Sequence, residues 1–134
     1  MRRVRWLPLL FAAALCLLNG CGERPSLSPA EVAARWWRAV AAGDGDTAAG
    51  SIASTSAREK SAKVFAEYAR VRKAAGEGDP LAGRMLKRLE GVRTGESRGG
   101  SLIAIVPLTL ADGKPFLKVY LESRDGRWLI VDLK

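Results

Sequence analysis

The chain of 134 residues contains no histidine, and that absence excludes more than any single motif includes. Ser-His-Asp and Cys-His catalysis, histidine-ligated zinc and ordinary histidine pH switching each lose an essential group. Chemistry, if any, is left to carboxylates, Tyr, Lys or Ser. Cysteine is scarce too, with only Cys16 and Cys21, so a disulfide framework for the folded part is out of reach. Long apolar runs are also missing. The one candidate, Trp6 to Leu18, is broken by Pro8 and falls short of the roughly 20 apolar residues that a spanning helix needs.

That run has a different character. Met1 to Arg5 carries Arg2, Arg3 and Arg5 as a basic head, the apolar middle follows, and the small or polar pair Asn19-Gly20 precedes Cys21. Basic head, short apolar core and small residue before a cut point are the parts of a secretory signal. With Leu18-Asn19-Gly20-Cys21 on the page, the segment resembles the lipobox of bacterial lipoproteins. The resemblance implies a signal peptide over residues 1–20, cleavage between Gly20 and Cys21, and a covalent diacylglycerol and acyl chain (palmitate) on Cys21. No other cofactor and no metal is expected. It also implies membrane attachment through lipid in the bacterial cell envelope. Gly22 rather than Asp after the cysteine favours the periplasmic face of the outer membrane if the cell is Gram-negative. The alternative is an ordinary signal peptide that happens to end near a cysteine.

Cleavage removes Cys16 and three arginines, leaving 114 residues with 19 basic against 14 acidic side chains, a formal charge of +5. Residues 21–27 form a short lipidated tether and residues 28–134 one domain of ordinary size. Residues 56–98 hold eleven Lys and Arg against six Asp and Glu, so the excess positive charge sits in the middle of the chain. Contact with anionic headgroups is one reading of it, and solvated helix flanks are the other. Nucleic acid is not expected as a partner, because aromatic residues are not interleaved with the basic ones.

Leu27-Ser28-Pro29-Ala30-Glu31-Val32 combines an N-cap, Pro at the first helical position, a capping box and a hydrophobic staple. The helix it opens carries Val32, Trp36 and Val40 on one face, with Trp37 beside them, and stops at Gly43. A Gly-Asp turn follows, with Asp44 or Asp46 capping a short helix and Ala48, Ala49 and Ile52 facing inward. A calcium loop counted from Asp44 would need Glu at its twelfth position, where Thr55 stands. Ser56 to Glu59 is read as a second capping box, opening a helix with the stripe Val64, Phe65, Tyr68 and Val71. Asp79-Pro80 caps a third substantial helix with Leu81, Met85 and Leu89.

After Gly91 the period changes to that of strands. Val92 to Arg98 is a weak strand, and three stronger ones surround Asp112-Gly113 and Asp125-Gly126. A two-residue loop at Asp112-Gly113 pairs Leu108 with Leu117, Val106 with Val119 and Ala104 with Leu121. A three-residue loop at 124–126 pairs Leu121 with Leu129, Val119 with Val131 and Leu117 with Leu133. The opposite face then carries Ile105, Phe116, Tyr120, Trp128 and Ile130, too apolar for a solvated face, and is expected to meet a second copy or an envelope protein unless the tether or a helix end covers it.

Helices first and a meander afterwards predict an α+β domain: amino-terminal helices on one face of a curved antiparallel sheet of three to four strands. The capped helix with Trp36-Trp37, the Gly-Asp turn, the further helices and the closing Trp128 to Asp132 strand together resemble the nuclear transport factor 2-like superfamily, also called cystatin-like or ketosteroid-isomerase-like. The resemblance covers residues 28–134. It implies a conical cavity between helices and sheet, with Trp36, Trp37, Phe65 and Tyr68 as candidate lining. The histidine-dependent enzymes of that superfamily have no counterpart here, and no carboxylate falls on the expected inner sheet face. A non-catalytic ligand-binding or envelope assembly module is therefore expected, with no catalytic residues. The alternative is a small isomerase or hydrolase that uses a carboxylate with Tyr68.

Overall fold

The computed structural model describes residues 26–134; residues 1–20, Cys21 and the stretch up to residue 25, on which the signal peptide, the cleavage point and the lipid attachment are placed, lie outside the described residues. The domain is α+β, with helices packed against a curved, open antiparallel sheet. Among the described residues no helix is long and apolar enough to cross a membrane.

Helix α1 (Pro29–Ala42) begins as its cap predicts. The Ser28 hydroxyl accepts from the Glu31 N–H at 3.2 Å, and the Glu31 carboxylate accepts from the Ser28 N–H at 3.4 Å. It buries Val32, Ala33, Trp36, Trp37, Ala39 and Val40, and ends at Gly43 in the left-handed conformation (φ 74°). Helix α2 (Gly45–Gly50) is capped by Asp44, whose carboxylate accepts from the Thr47 N–H at 3.1 Å. Ala48 is buried as expected, whereas Ala49 is exposed.

Helix α3 (Thr55–Gly76) is capped two residues earlier than expected. Ser54 is the cap: its hydroxyl accepts from the Ala57 N–H and donates to the Val131 carbonyl at 2.7 Å. A tie to a strand 77 residues away thus selects Ser54 over Ser56. Gly78 (φ 91°) turns the chain, and Asp79 opens α4 (Pro80–Glu90) by accepting from the N–H groups of Leu81 and Ala82.

The sheet follows. The weak strand is one edge in two pieces, β1 (Arg93–Thr94) and β2 (Arg98–Gly99), both paired with β3 (Ile103–Thr109). Strand β4 (Pro115–Arg124) lies between β3 and β5 (Arg127–Leu133). The other edge, β5, is covered by Ser51–Ala53: the Ile130 N–H donates to Ser51 O at 2.8 Å and Ile130 O accepts from Ala53 at 2.9 Å. The β3 side of the meander is thus paired in part by β1 and β2, and the β5 edge is paired at Ile130.

The β3–β4 register matches the expected one, Leu108 to Leu117, Val106 to Val119 and Ala104 to Leu121. It is reached differently. The loop has three residues, Ala111 to Gly113, and an irregularity at Phe116 takes up the extra one. The β4–β5 register differs from expectation. Asp125 and Gly126 both have positive φ (52° and 73°), the signature of a two-residue type I′ turn. Leu121 therefore faces Ile130, not Leu129; a bulge at Val131 then places Asp132 opposite Tyr120 and Leu133 opposite Val119.

Lys60 of α3 reaches this edge strand, its ammonium 2.6 Å from Asp132 Oδ1. That hydrogen bond is the main reason the Asp132 carboxyl is held below its ordinary 3.8. A carboxyl lowered in the folded state contributes stability that is present above the unfolded value and lost as pH falls through the folded one. Asp132→Asn is expected to cost about 0.2–1 kcal/mol at neutral pH, as partly exposed pairs do. The difference from the parent should shrink as pH falls below 3.8 and vanish only below the lowered folded-state value, a trend that urea midpoints at a series of pH values will read.

Candidate functional site

The sequence stripes that form the helix–sheet core also leave an opening between the α3–α4 hairpin and the start of β4. A cleft of about 380 Å³ lies there. Its floor is Trp37 from α1 and Phe116 from β4, with ring centroids 5.2 Å apart and planes at 76°. Tyr68 of α3 stands edge-on to the same Trp37 ring, 5.6 Å away at 74°. Edge-to-face contacts of this kind fix the three rings relative to one another. Val64 and Val71 extend the α3 wall, and Met85 and Leu89 supply the α4 wall.

Arg72 holds the far side of Tyr68, its guanidinium carbon 4.7 Å from the ring centroid. It also donates to the Ala41 carbonyl in the last turn of α1, a helix with no basic residue of its own there. One side chain thus stacks on the cleft wall and offsets the negative end of α1.

The charged groups of the cleft sit on its α3 wall, Lys63 and Glu67. Both Glu67 oxygens accept from Arg70, at 2.5 and 3.1 Å, and this pairing lowers the Glu67 carboxyl from its ordinary value. Glu67 is therefore held ionised and solvated. A general base matched to neutral pH needs the reverse, a carboxyl raised by burial. Tyr68 is 5% exposed and lines the cleft; among the described residues no carboxylate is hydrogen-bonded to it. The described residues also gather no group of three or more potential metal-ligating side chains.

The four expected lining residues divide. Trp37 and Tyr68 line the cleft together. Trp36 does not: it is fully buried, its Nε1 donating to the Ser61 hydroxyl at 2.9 Å. Phe65 belongs to a separate hollow of about 230 Å³ between α2 and α3, beside Ile52 and Ser61. Met85, Leu89, Val64 and Val71 carry the correct helical spacing for a shared face, and their stripes could have placed them at the cleft.

The expected partner face changes more. Phe116 turns inward through the irregularity beside it, onto Trp37. The two-residue turn sends Ile130 into the core, where it is 0% exposed, and brings Trp128 against the core beside Leu27 and Val32. Of the five residues, Ile105 and Tyr120 stay on the outer face, in a groove of about 610 Å³ that also includes Arg98, Lys118 and Lys134. The Lys134 ammonium lies 4.8 Å from the Tyr120 ring centroid. The outer face is thus mixed in character, with Pro107, Pro115 and Leu117 beside Ile105 and Tyr120 and three cations among them.

Four of the eleven basic residues between 56 and 98 are engaged within the domain. Lys60 binds Asp132, Arg70 binds Glu67, Arg88 binds Asp112, and Arg72 binds Ala41 and Tyr68. No protein-family model matches the chain, and no curated protein matches it.

Proposed function

We propose that this chain is an exported lipoprotein, held in the bacterial cell envelope by diacylglycerol and an acyl chain on Cys21, whose domain holds an apolar guest without transforming it. The observation that carries the reading is the cleft itself. Three aromatic rings and four aliphatic or thioether side chains line it, and its two charged residues lie on one wall. Its volume of about 380 Å³ is of the size that ligand pockets usually have. The ionised, Arg70-bound state of Glu67 speaks for binding and against a carboxylate–tyrosine isomerase. Helices laid over a curved sheet agree with a nuclear transport factor 2-like domain, in which a cavity of this position serves binding.

The test uses the uncharged probe N-phenyl-1-naphthylamine. Its fluorescence should rise on addition of the protein, and native mass spectrometry of freshly purified material should show an apolar adduct. Met85→Lys places an ammonium on the α4 wall at a residue already 36% exposed, so the fold should tolerate it. Burying that charge against the three rings should weaken probe binding about tenfold or more, since each tenfold corresponds to only about 1.4 kcal/mol. A wild-type protein that neither brightens the probe nor carries an adduct would sink the reading. So would turnover of a small substrate that is lost on Tyr68→Phe.

A further inference from the structure

We propose that the end of the sheet carrying the β4–β5 turn rests on the phospholipid bilayer, and that the cleft is thereby held away from the membrane. The proposal rests on the lipid-anchor reading of Cys21.

The first observation is where the chain enters the domain. Ser26 and Leu27 line one small hollow with Arg127, Trp128 and Leu129, next to the β4–β5 turn. Cys21 is five residues before Ser26, and a fully extended chain covers about 3.3–3.6 Å per residue. An acylated Cys21 therefore keeps this end within about 17 Å of the headgroups.

The second observation is the placement of exposed apolar side chains. Five large ones are exposed among the described residues, and three of them, Leu102 (70%), Ile103 (58%) and Leu27 (39%), are at this same end. Leu102 O accepts from the Ser123 N–H at 2.9 Å, and Ile103 faces Glu122, so both flank the turn from the β3 side as Leu27 does from the β5 side. The loop that presents Leu102 is closed on itself, with the Gly100 N–H donating to Ile103 O at 2.9 Å. Gly99 makes this possible: its φ is +127°, and a Cβ there would stand 2.3 Å from Ile103 O. A tight loop with its backbone bonds made can place an apolar tip at the headgroup boundary with few backbone groups left to desolvate.

The third observation is chemical. Arg124 and Arg127 are the last ladder pair before the turn, both exposed. Guanidinium groups donate to phosphate in a matched fork. Asp125 in the turn and Glu122, which pairs with Arg124 at 2.7 Å, offset their charge. The contact is thus one of shallow apolar insertion with arginine–phosphate hydrogen bonds, and it does not depend on a strongly anionic surface. Phe116 and Arg124 are eight residues apart on β4, which at about 3.3 Å per residue puts the cleft floor about 26 Å from the seated end.

Removal of Cys16 and acylation of Cys21 leave no free thiol, so a single introduced cysteine can carry a nitroxide. The full chain is expressed with Leu102→Cys, Ile103→Cys or Asp112→Cys, purified as the mature protein and reconstituted into phosphatidylcholine–phosphatidylglycerol vesicles. Asp112 lies in the β3–β4 loop, at the other end of the sheet. Collision with oxygen relative to an aqueous nickel chelate should be at least about threefold greater at 102 and 103 than at 112. Labels at 102 and 103 as water-exposed as the one at 112 overturn the proposal, as does a label at 112 that is the deeper one. Intact mass separates the two premises: a chain lacking acyl groups overturns the anchor and the proposal together, whereas an acylated chain with aqueous labels overturns the proposal alone.

Discussion

Trp36→Ala is expected to cost about 3–5 kcal/mol of folding stability, in line with large-to-small aromatic substitutions in packed cores. Domains of this size have about 5–15 kcal/mol in total, so the variant should lose a large share of its stability. Two losses combine. Trp36 is fully buried, with its ring 6.1 Å from that of Trp37, and removing it opens a void under α1. The Ser61 hydroxyl, in a residue only 6% exposed, also loses the indole donor that ties α1 to α3. Trp36→Phe separates the two effects. It keeps most of the volume and leaves Ser61 unpartnered, for an expected loss of about 1–3 kcal/mol. Ser61→Ala alone should cost about as much by leaving the indole N–H buried without an acceptor, and the double variant should recover part of the sum. Urea unfolding by tryptophan fluorescence is confounded here, so far-UV circular dichroism should follow the transition. A Trp36→Ala protein with the parent's midpoint would show that α1 does not depend on this residue.

That residue also marks where sequence reasoning stops. Trp36 and Trp37 stand side by side on one apolar helical face, and nothing local distinguishes a core side chain from a cleft side chain. The distinction comes from Ser61, 25 residues on, and from Phe116, farther still. Elements set by local chemistry were legible: the Ser28–Glu31 box, the stop at Gly43 and the Asp79-Pro80 start depend on groups within a few residues of one another. The α+β class was legible for the same reason, because the period changes once, after Gly91. The hairpins show the opposite case. Matching aliphatic pairs recovered the β3–β4 register, since the irregularity at Phe116 compensated for the longer loop. The same procedure chose the longer loop for β4–β5, because Leu129 and Val131 are as aliphatic as Ile130. What decided the matter was the turn conformation at Asp125-Gly126 together with coverage of the β5 edge by Ser51–Ala53. Three of the five residues expected on the outer face changed sides through that one turn and one irregularity, and the cleft gained Phe116 by the same route.

Cys21→Ala is expected to abolish incorporation of a fatty-acid analogue and to release the domain from the membrane fraction, which makes it the largest effect of all. A single acyl chain gives only marginal membrane binding, and two or three, at about 0.8 kcal/mol per buried CH₂, make attachment stable. The protein surface cannot substitute. The three apolar side chains exposed at the turn end are already 39–70% exposed in the folded domain, and inserting them shallowly gains a small fraction of what an acyl chain supplies. No described helix is long and apolar enough to take over the anchoring. On the proposed reading lipid on Cys21 carries the attachment, and the Leu102–Ile103 loop would set only the orientation of what is attached. Cys16→Ala is the control: if residues 1–20 are removed as proposed, Cys16 leaves with them, and labelling and fractionation should match the parent. A Cys21→Ala chain that is still labelled and still membrane-bound would overturn the anchor, and with it the view that one short tether decides which end of the domain meets the bilayer.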